Sequence, residues 1–175
     1  MRHIMDFRGI ETMDLDKADM LFQACMKDLL TREGFDGDGD LWEEEVARLN
    51  KAAQKSLVDP ANRFFVAEKE NELLGTIALQ TPGHMLNSMI QVEPGAMEIA
   101  CVYVHPAHQR SGIGRFLFQH ACRELKAIGK QKFYLDAGFT SSQQYWLSKL
   151  GEPSRLLENY WGPGKPHMVW VKKVD

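Results

Sequence analysis

The sequence predicts an α/β (α+β) fold, and three observations carry that expectation. Along the 175 residues the apolar period switches repeatedly between two and about 3.6, so strands and helices are interspersed. The elements read in the order strand, two helices, three strands, helix, strand, helix, two strands. At the centre, a glycine-punctuated turn joins a buried strand to a long amphipathic helix. The length suits a single domain over residues 1–175 with a proper core.

Composition narrows the function classes. An apolar fraction of 44% and a charged fraction of 26% are ordinary for a soluble globular chain. A net charge of −3 gives no electrostatic case for nucleic acid or an anionic membrane. No apolar run approaches the ~18–20 residues of a membrane span, and no signal-peptide pattern opens the chain. Cys25, Cys101 and Cys122 are odd in number, fit no zinc spacing and lie in apolar segments, so they read as core thiols in a reducing compartment, the cytoplasm. The six histidines form no metal constellation. Among them, His84 and His167 read as ordinary surface or loop residues.

Residues 4–11 alternate loosely and predict a first strand. Asp14 or Asp16 caps a helix to about Thr31, with Met20, Leu21, Ala24, Cys25 and Leu29 on its apolar face. Asp36, Asp38 and Asp40 in the glycine-rich loop that follows invite a calcium-loop reading. It fails because the sixth position is Leu41 and the twelfth Ala47. Asp40 is instead the expected cap of a helix from about Leu41 to Leu57, with Trp42, Val46, Leu49 and Ala53 inward. Asp59-Pro60 ends it. Residues 64–68 and 73–79 flank a polar turn at Glu70-Asn71, a hairpin signal. Residues 81–95 read as a loop.

Ala96 to Val104 reads as the next strand. On simple alternation Glu98, Ala100, Val102 and Val104 share one face. Glu98 is then a charge on an apolar face, so it either emerges at the strand's edge or has a function. After Pro106 come Gln109-Arg110-Ser111-Gly112-Ile113-Gly114-Arg115 and a helical period through Phe116, Leu117, Ala121, Leu125 and Ile128, with Gly129 beyond. The unpaired N–H groups of a helix start and the positive end of its dipole receive phosphate oxygens, and Arg110 and Arg115 add charge. A Walker loop is excluded because Arg115-Phe116 follows the second glycine. A dinucleotide fingerprint is excluded because position 117 is Leu.

Residues 132–136 read as a strand, and Thr140-Ser141-Ser142-Gln143 has capping-box spacing ahead of a helix from Ser141 to Leu150 that ends at Gly151. Arg155–Tyr160 and Met168–Val174 form a closing hairpin. That hairpin offers an edge for pairing with a second copy, a homodimer.

The segment Val102-Tyr103-Val104-x-Pro106 followed by Gln109-x-x-Gly112-x-Gly114 resembles the pyrophosphate motif of the GNAT superfamily of N-acetyltransferases. The resemblance extends over nearly the whole element order. It implies a GNAT fold: one mixed, mostly antiparallel sheet of about seven strands, helices on both faces, and a splayed parallel pair in the middle. It implies acetyl-CoA as co-substrate, with no metal. Its pyrophosphate goes to Gln109, Arg110, Gly112, Ile113, Gly114 and Arg115, and its pantetheine arm to the backbone of Val102 and Val104. It implies direct acetyl transfer to a small-molecule or peptide amine, with Glu98 as general base through water. It places Asp36, Asp38, Trp42 and Glu43 beside the acceptor. The chain departs from the pattern at the last helix. Leu147 stands where family members carry the tyrosine that protonates the thiolate, and Thr140 replaces an asparagine. Tyr145, two positions away and roughly 200° round the helix, is the substitute candidate. Those departures support a rival reading, a non-catalytic acyl-CoA sensor on the same fold. Turnover with a panel of amines separates the two.

Overall fold

A computed structural model of the protein describes residues 4–175. Within these residues, seven strands form one sheet: β1 (Asp6–Gly9), β2 (Arg63–Lys69), β3 (Glu72–Gln80), β4 (Glu98–Val104), β5 (Lys132–Ala137), β6 (Arg155–Leu157) and β7 (His167–Lys173). Their order across the sheet is β1-β2-β3-β4-β5-β7-β6. Every pairing is antiparallel except that of β4 with β5. Among the described residues, five α-helices cover the sheet: α1 (Leu15–Arg32), α2 (Gly39–Ser56), α3 (His84–Met89), α4 (Ile113–Ala127) and α5 (Thr140–Leu150). Among the described residues, no helix is long and apolar enough to cross a membrane.

The strands carry apolar side chains to both faces, and each face has its own cluster. On one face, α1 and α2 press Phe22, Met26, Leu49 and Ala53 against Phe64, Val66 and Ala78. On the other, α4 and α5 press Ile113, Leu117, Leu125 and Trp146 against Ile77, Leu79, Phe133 and Trp170. Each large side chain so buried is worth about 1.5–3 kcal/mol. Helix α4 lies directly on β3 because Gly75 has no side chain. A Cβ there would stand 2.7 Å from the Tyr103 carbonyl oxygen and 3.0 Å from Leu117 Cδ1. The β2–β3 hairpin turns at Glu70 and Asn71 with φ of 53° and 66°, the left-handed pair that a two-residue turn of matching twist requires.

Several local expectations are corrected. Met20 is 70% exposed, and the buried face of α1 runs instead through Ala18, Leu21, Phe22, Cys25, Met26, Leu29 and Leu30. The cap of α2 is Asp38, whose carboxylate accepts the Leu41 N–H at 3.0 Å, and Asp40 lies inside the helix. Segment 81–95 is not all loop. It contains the short helix α3, which places Leu86 and Met89 over Tyr134 and Val169 on the α1–α2 side of the sheet. Helix α5 has no capping box. Its first amides are held by Glu33 at the end of α1, which accepts from Thr140 N (3.1 Å), Ser141 N (2.8 Å) and Ser141 Oγ (2.9 Å). The Gln143 side chain donates instead to the carbonyls of Ala137 and Pro166.

Candidate active site

Strand β4 delivers the chain to the glycine turn. After Val104, the His105 N–H donates to Leu74 O at 2.9 Å, and a single 3₁₀ turn over Pro106–His108 redirects the backbone. Arg110 (φ 61°) and Gly112 (φ 89°) are left-handed. An alternation of right- and left-handed residues turns successive N–H groups toward one concavity suited to an anion. For Arg110, which carries a Cβ, the conformation costs roughly 1–2 kcal/mol. Among the described residues, no protein group accepts a hydrogen bond from the N–H groups of residues 110–115. The first amide of α4 to be satisfied is Phe116, which donates to Gly112 O at 3.0 Å. The turn therefore offers unpaired donors at the positive end of a 15-residue helix.

Beside this turn the sheet opens. Strands β4 and β5 meet at one register pair, Glu98 with Tyr134, backed by Tyr134 N donating to Met97 O at 3.0 Å. Beyond it they diverge. Strand β4 is also bent by a β-bulge, because the register with β3 passes from Ala78↔Ala100 to Thr76↔Tyr103, and Ile77 alone spans Cys101 and Val102. Cys101 sits at φ 53°, and its carbonyl is satisfied by the fully buried Thr76, whose hydroxyl donates at 2.9 Å. The bulge breaks the expected alternation. Ala100, Cys101 and Tyr103 pack on the α1–α2 side, whereas Val102 and Val104 pack on the α4 side. Glu98 and Val104 therefore do not share a face.

The resulting cleft has a volume of about 440 Å³. Val102, Val104, Gln109, Arg110, Gly112, Gly114 and Arg115 all line it, and α5 contributes Tyr145, Trp146 and Lys149. Four of the lining residues are cationic (Arg32, Arg110, Arg115 and Lys149) and none is a carboxylate, in a chain whose net charge is −3. Arg32 and Lys149 carry no motif in the sequence; only the packing of α1 and α5 brings them here. The Val104 carbonyl already accepts from Gln109 Nε2 (3.3 Å) and from the Cys25 thiol (3.4 Å), so Gln109 ties the turn back to the end of its strand. Tyr145 is half-buried, and burial raises its pKa. A Cβ on Gly114 would stand 2.9 Å from its hydroxyl, so glycine is what lets α5 approach the head of α4.

At the other end of β4 lies a second group of polar side chains. Glu98 is only 7% exposed, and its carboxylate accepts from Gln80 Nε2 and from Gly83 N, each at 3.3 Å. Burial, reinforced by the neighbouring Asp136 carboxyl, pushes its pKa up to about 7. Asp136 Oδ2 is 2.7 Å from Nε2 of His167, and Trp161 Nε1 donates to Nδ1 of the same ring at 3.0 Å. An indole nitrogen only donates, so Nδ1 is the acceptor and Nε2 carries the proton that His167 gives to Asp136. His167 is 3% exposed, which corrects its reading as a surface or loop residue. Asp136, like Glu98, is a charge in an apolar strand, and that was its available signal. His167 had none, since its partners come from β5 and from the loop before β7.

The four residues expected around the acceptor are placed differently from one another. Asp36 and Glu43 are exposed, Asp38 is engaged as the cap of α2, and the indole of Trp42 donates to Gln23 O at 3.3 Å. None of them lines the cleft. Their loop meets the β6–β7 loop where Lys165 Nζ lies 5.5 Å from the Phe35 ring centroid.

Comparison with known proteins agrees with this geometry. Residues 23–151 match the model of the acetyltransferase (GNAT) family. An amino-acid acetyltransferase of Vibrio vulnificus is 23% identical over 157 residues, which are 86% of this chain. The chain spans 31% of that relative's length. Among solved structures, a GNAT-family protein from Desulfovibrio desulfuricans superposes with a TM-score of 0.74 at 14% identity, covering 98% of this chain and all of that one. The PaiA N-acetyltransferase of Thermoplasma acidophilum, solved with coenzyme A, gives 0.69 at 16% identity, with 97% and 99% of the two chains covered. The ribosomal-protein-S18-alanine N-acetyltransferase of Escherichia coli gives 0.66 at 17%, with 98% and 95% covered. With the match running from the middle of α1 to the end of α5, the chain belongs to the GNAT family of acetyltransferases.

Proposed function

We propose that this enzyme transfers the acetyl group of acetyl-CoA directly to an amine, with Glu98 taking the amine's proton through water. The observation that carries the reading is the coincidence of three features on one strand. Strand β4 ends in an anion-binding turn, borders an open cationic cleft, and begins with a buried carboxylate whose pKa stands near neutrality. The cleft's charge suits the phosphates of coenzyme A. The gap beside β4 suits the peptide-like pantetheine arm, which pairs with exposed backbone as an added strand does. Binding both substrates side by side removes much of the entropic barrier.

Alkyl amines near pKa ~10 are protonated at neutral pH, so a base must act before attack. A carboxylate poised near 7 suits that task. The nitrogen lone pair then adds to the thioester carbonyl, the C–S bond breaks with its electron pair on sulfur so that the thiolate leaves, and the nitrogen gives up its second proton to water as the amide forms. Tyr145 is the candidate to protonate it, its raised pKa keeping the phenol protonated at working pH. The acceptor is a small-molecule or peptide amine. Its cationic form is suited to the carboxyls of Glu98 and Asp136. Aminoglycoside 6′-acetyltransferase type Ii, with a TM-score of 0.69 at 16% identity, shows that this fold can serve an aminoglycoside.

The test is thiol release from acetyl-CoA with a panel of alkyl amines, aminoglycosides and peptides. Glu98→Gln should lower kcat by about 10²–10⁴, the usual worth of a positioned base, with coenzyme A affinity retained. Unchanged turnover in that variant would remove Glu98 from the mechanism. Coenzyme A binding without turnover on any amine would leave an acyl-CoA sensor.

A further inference from the structure

Glu98 and Asp136 come from adjacent parallel strands, Glu98 in register with Tyr134 and Asp136 two residues further along β5, and the Asp136 carboxyl acts on Glu98 both by its charge and as a side-chain hydrogen-bond partner. Two carboxyls that close share a proton, because ionising both places like charges together in a poorly solvated site. Which of the two carries the proton depends on the rest of the contact. Asp136 receives the Nε2–H of His167 at 2.7 Å, a bond that is strongest to an ionised oxygen. Trp161 locks that tautomer from the far side of the ring. The imidazole is boxed in by Tyr160 and Trp161, with ring centroids at 5.6 and 5.8 Å. Gly138 completes the box, since a Cβ there would stand 3.1 Å from both His167 Nδ1 and Trp161 Nε1. Glu98 accepts from Gln80 and Gly83, both at the longer distance of 3.3 Å. Among the described residues, no group of three or more His, Cys, Asp and Glu is arranged to hold a metal ion.

We propose that Asp136 is a positioning residue for Glu98: the two carboxyls hold one proton between them, and the His167–Trp161 arm makes Glu98 the member that carries and releases it. The inference rests on the reading of Glu98 as base. In the proton cycle, ionised Glu98 takes the acceptor's proton and is neutral while the amine attacks. It then returns the proton to water. The other titratable or charged groups around Glu98 are few. Tyr134 is its register partner on β5, Cys101 lies along its own strand, and Arg48 and Glu45 of α2 act on Cys101. His84 opens α3, one residue beyond Gly83.

Carbon-13 NMR of the side-chain carboxyls against pH tests the inference on the full chain without any acceptor. Glu98→Gln identifies the resonance. In the unmodified protein Glu98 should titrate near neutrality, and Asp136→Asn should lower its midpoint by a unit or more, a tenfold weaker hold on the proton. Trp161→Phe alters a half-exposed loop residue, spares the core, and should move the same midpoint down by a smaller step. The acidic limb of the rate profile should follow these shifts, which a merely structural role for Asp136 would not produce. A Glu98 midpoint between 4 and 5 in the unmodified protein overturns the pairing, even if Asp136→Asn fails to fold. A midpoint unmoved by Asp136→Asn overturns it as well, and one unmoved by Trp161→Phe removes the His167 arm. Full activity of Glu98→Gln with the titration as expected would instead sink the base reading and leave the pairing intact.

Discussion

A glutamate in water has lost its proton well below neutral pH, whereas Glu98 is near its midpoint there because its surroundings disfavour the charge. Two consequences have opposite signs. A base works only when ionised, so turnover should rise with pH through about 7. An amine of pKa ~10 adds its own rise above neutrality, so the measurement is the profile relative to Glu98→Gln, which should lack the step near 7. Stability should run the other way. With the folded-state pKa above the ordinary value, the protein is favoured below about 4.5 and loses that contribution as pH rises to about 7. For Tyr145 the expected effect is small. A thiolate of pKa ~8.5 departs with little help, so Tyr145→Phe should cost less than about tenfold in kcat. A larger loss at unchanged coenzyme A affinity would make this phenol the principal proton donor.

Elements differ in how plainly the sequence announces them. The strand, turn and helix from β4 to α4 were legible because each has a local cause: apolar residues in a strand, glycines at a helix start, a helical stripe of Ile113, Leu117, Ala121 and Leu125. The bulge at Cys101 was not, since its enabling partner is Thr76 on another strand. Helix α3 is only six residues long and leaves too short a period to read. The head of α5 was misread as a capping box because its true cap lies 107 residues away. Burial opposes ionisation of Glu33, but the bonds from Ser141 and Thr140 outweigh it and hold the carboxyl below its usual range. Glu33→Ala should therefore cost about 1 kcal/mol in urea unfolding, in the range of lost helix caps. Because that pKa is lowered, the difference should be full at neutral pH and vanish as acid protonates the carboxyl. An unchanged midpoint at neutral pH would show that α5 is held by packing alone.

Taken whole, the molecule puts opposite charges at the two ends of one strand, with cations around the cleft beyond Val104 and the Glu98–Asp136 pair at its start. The single rung between β4 and β5 has a further consequence, a mechanical one. Four strands on one side and three on the other are joined across the sheet by little main-chain bonding, so this seam is where the native structure should breathe most readily. A bound coenzyme would stitch it. At a hundred times its dissociation constant the coenzyme adds about 2.7 kcal/mol to global stability. Amide hydrogen exchange should register the gain unevenly, with the deepest slowing in residues 100–104 and 134–137 and almost none in the outer β1–β2 hydrogen bonds. Slowing spread evenly over the sheet would mean that the two halves already open and close as one.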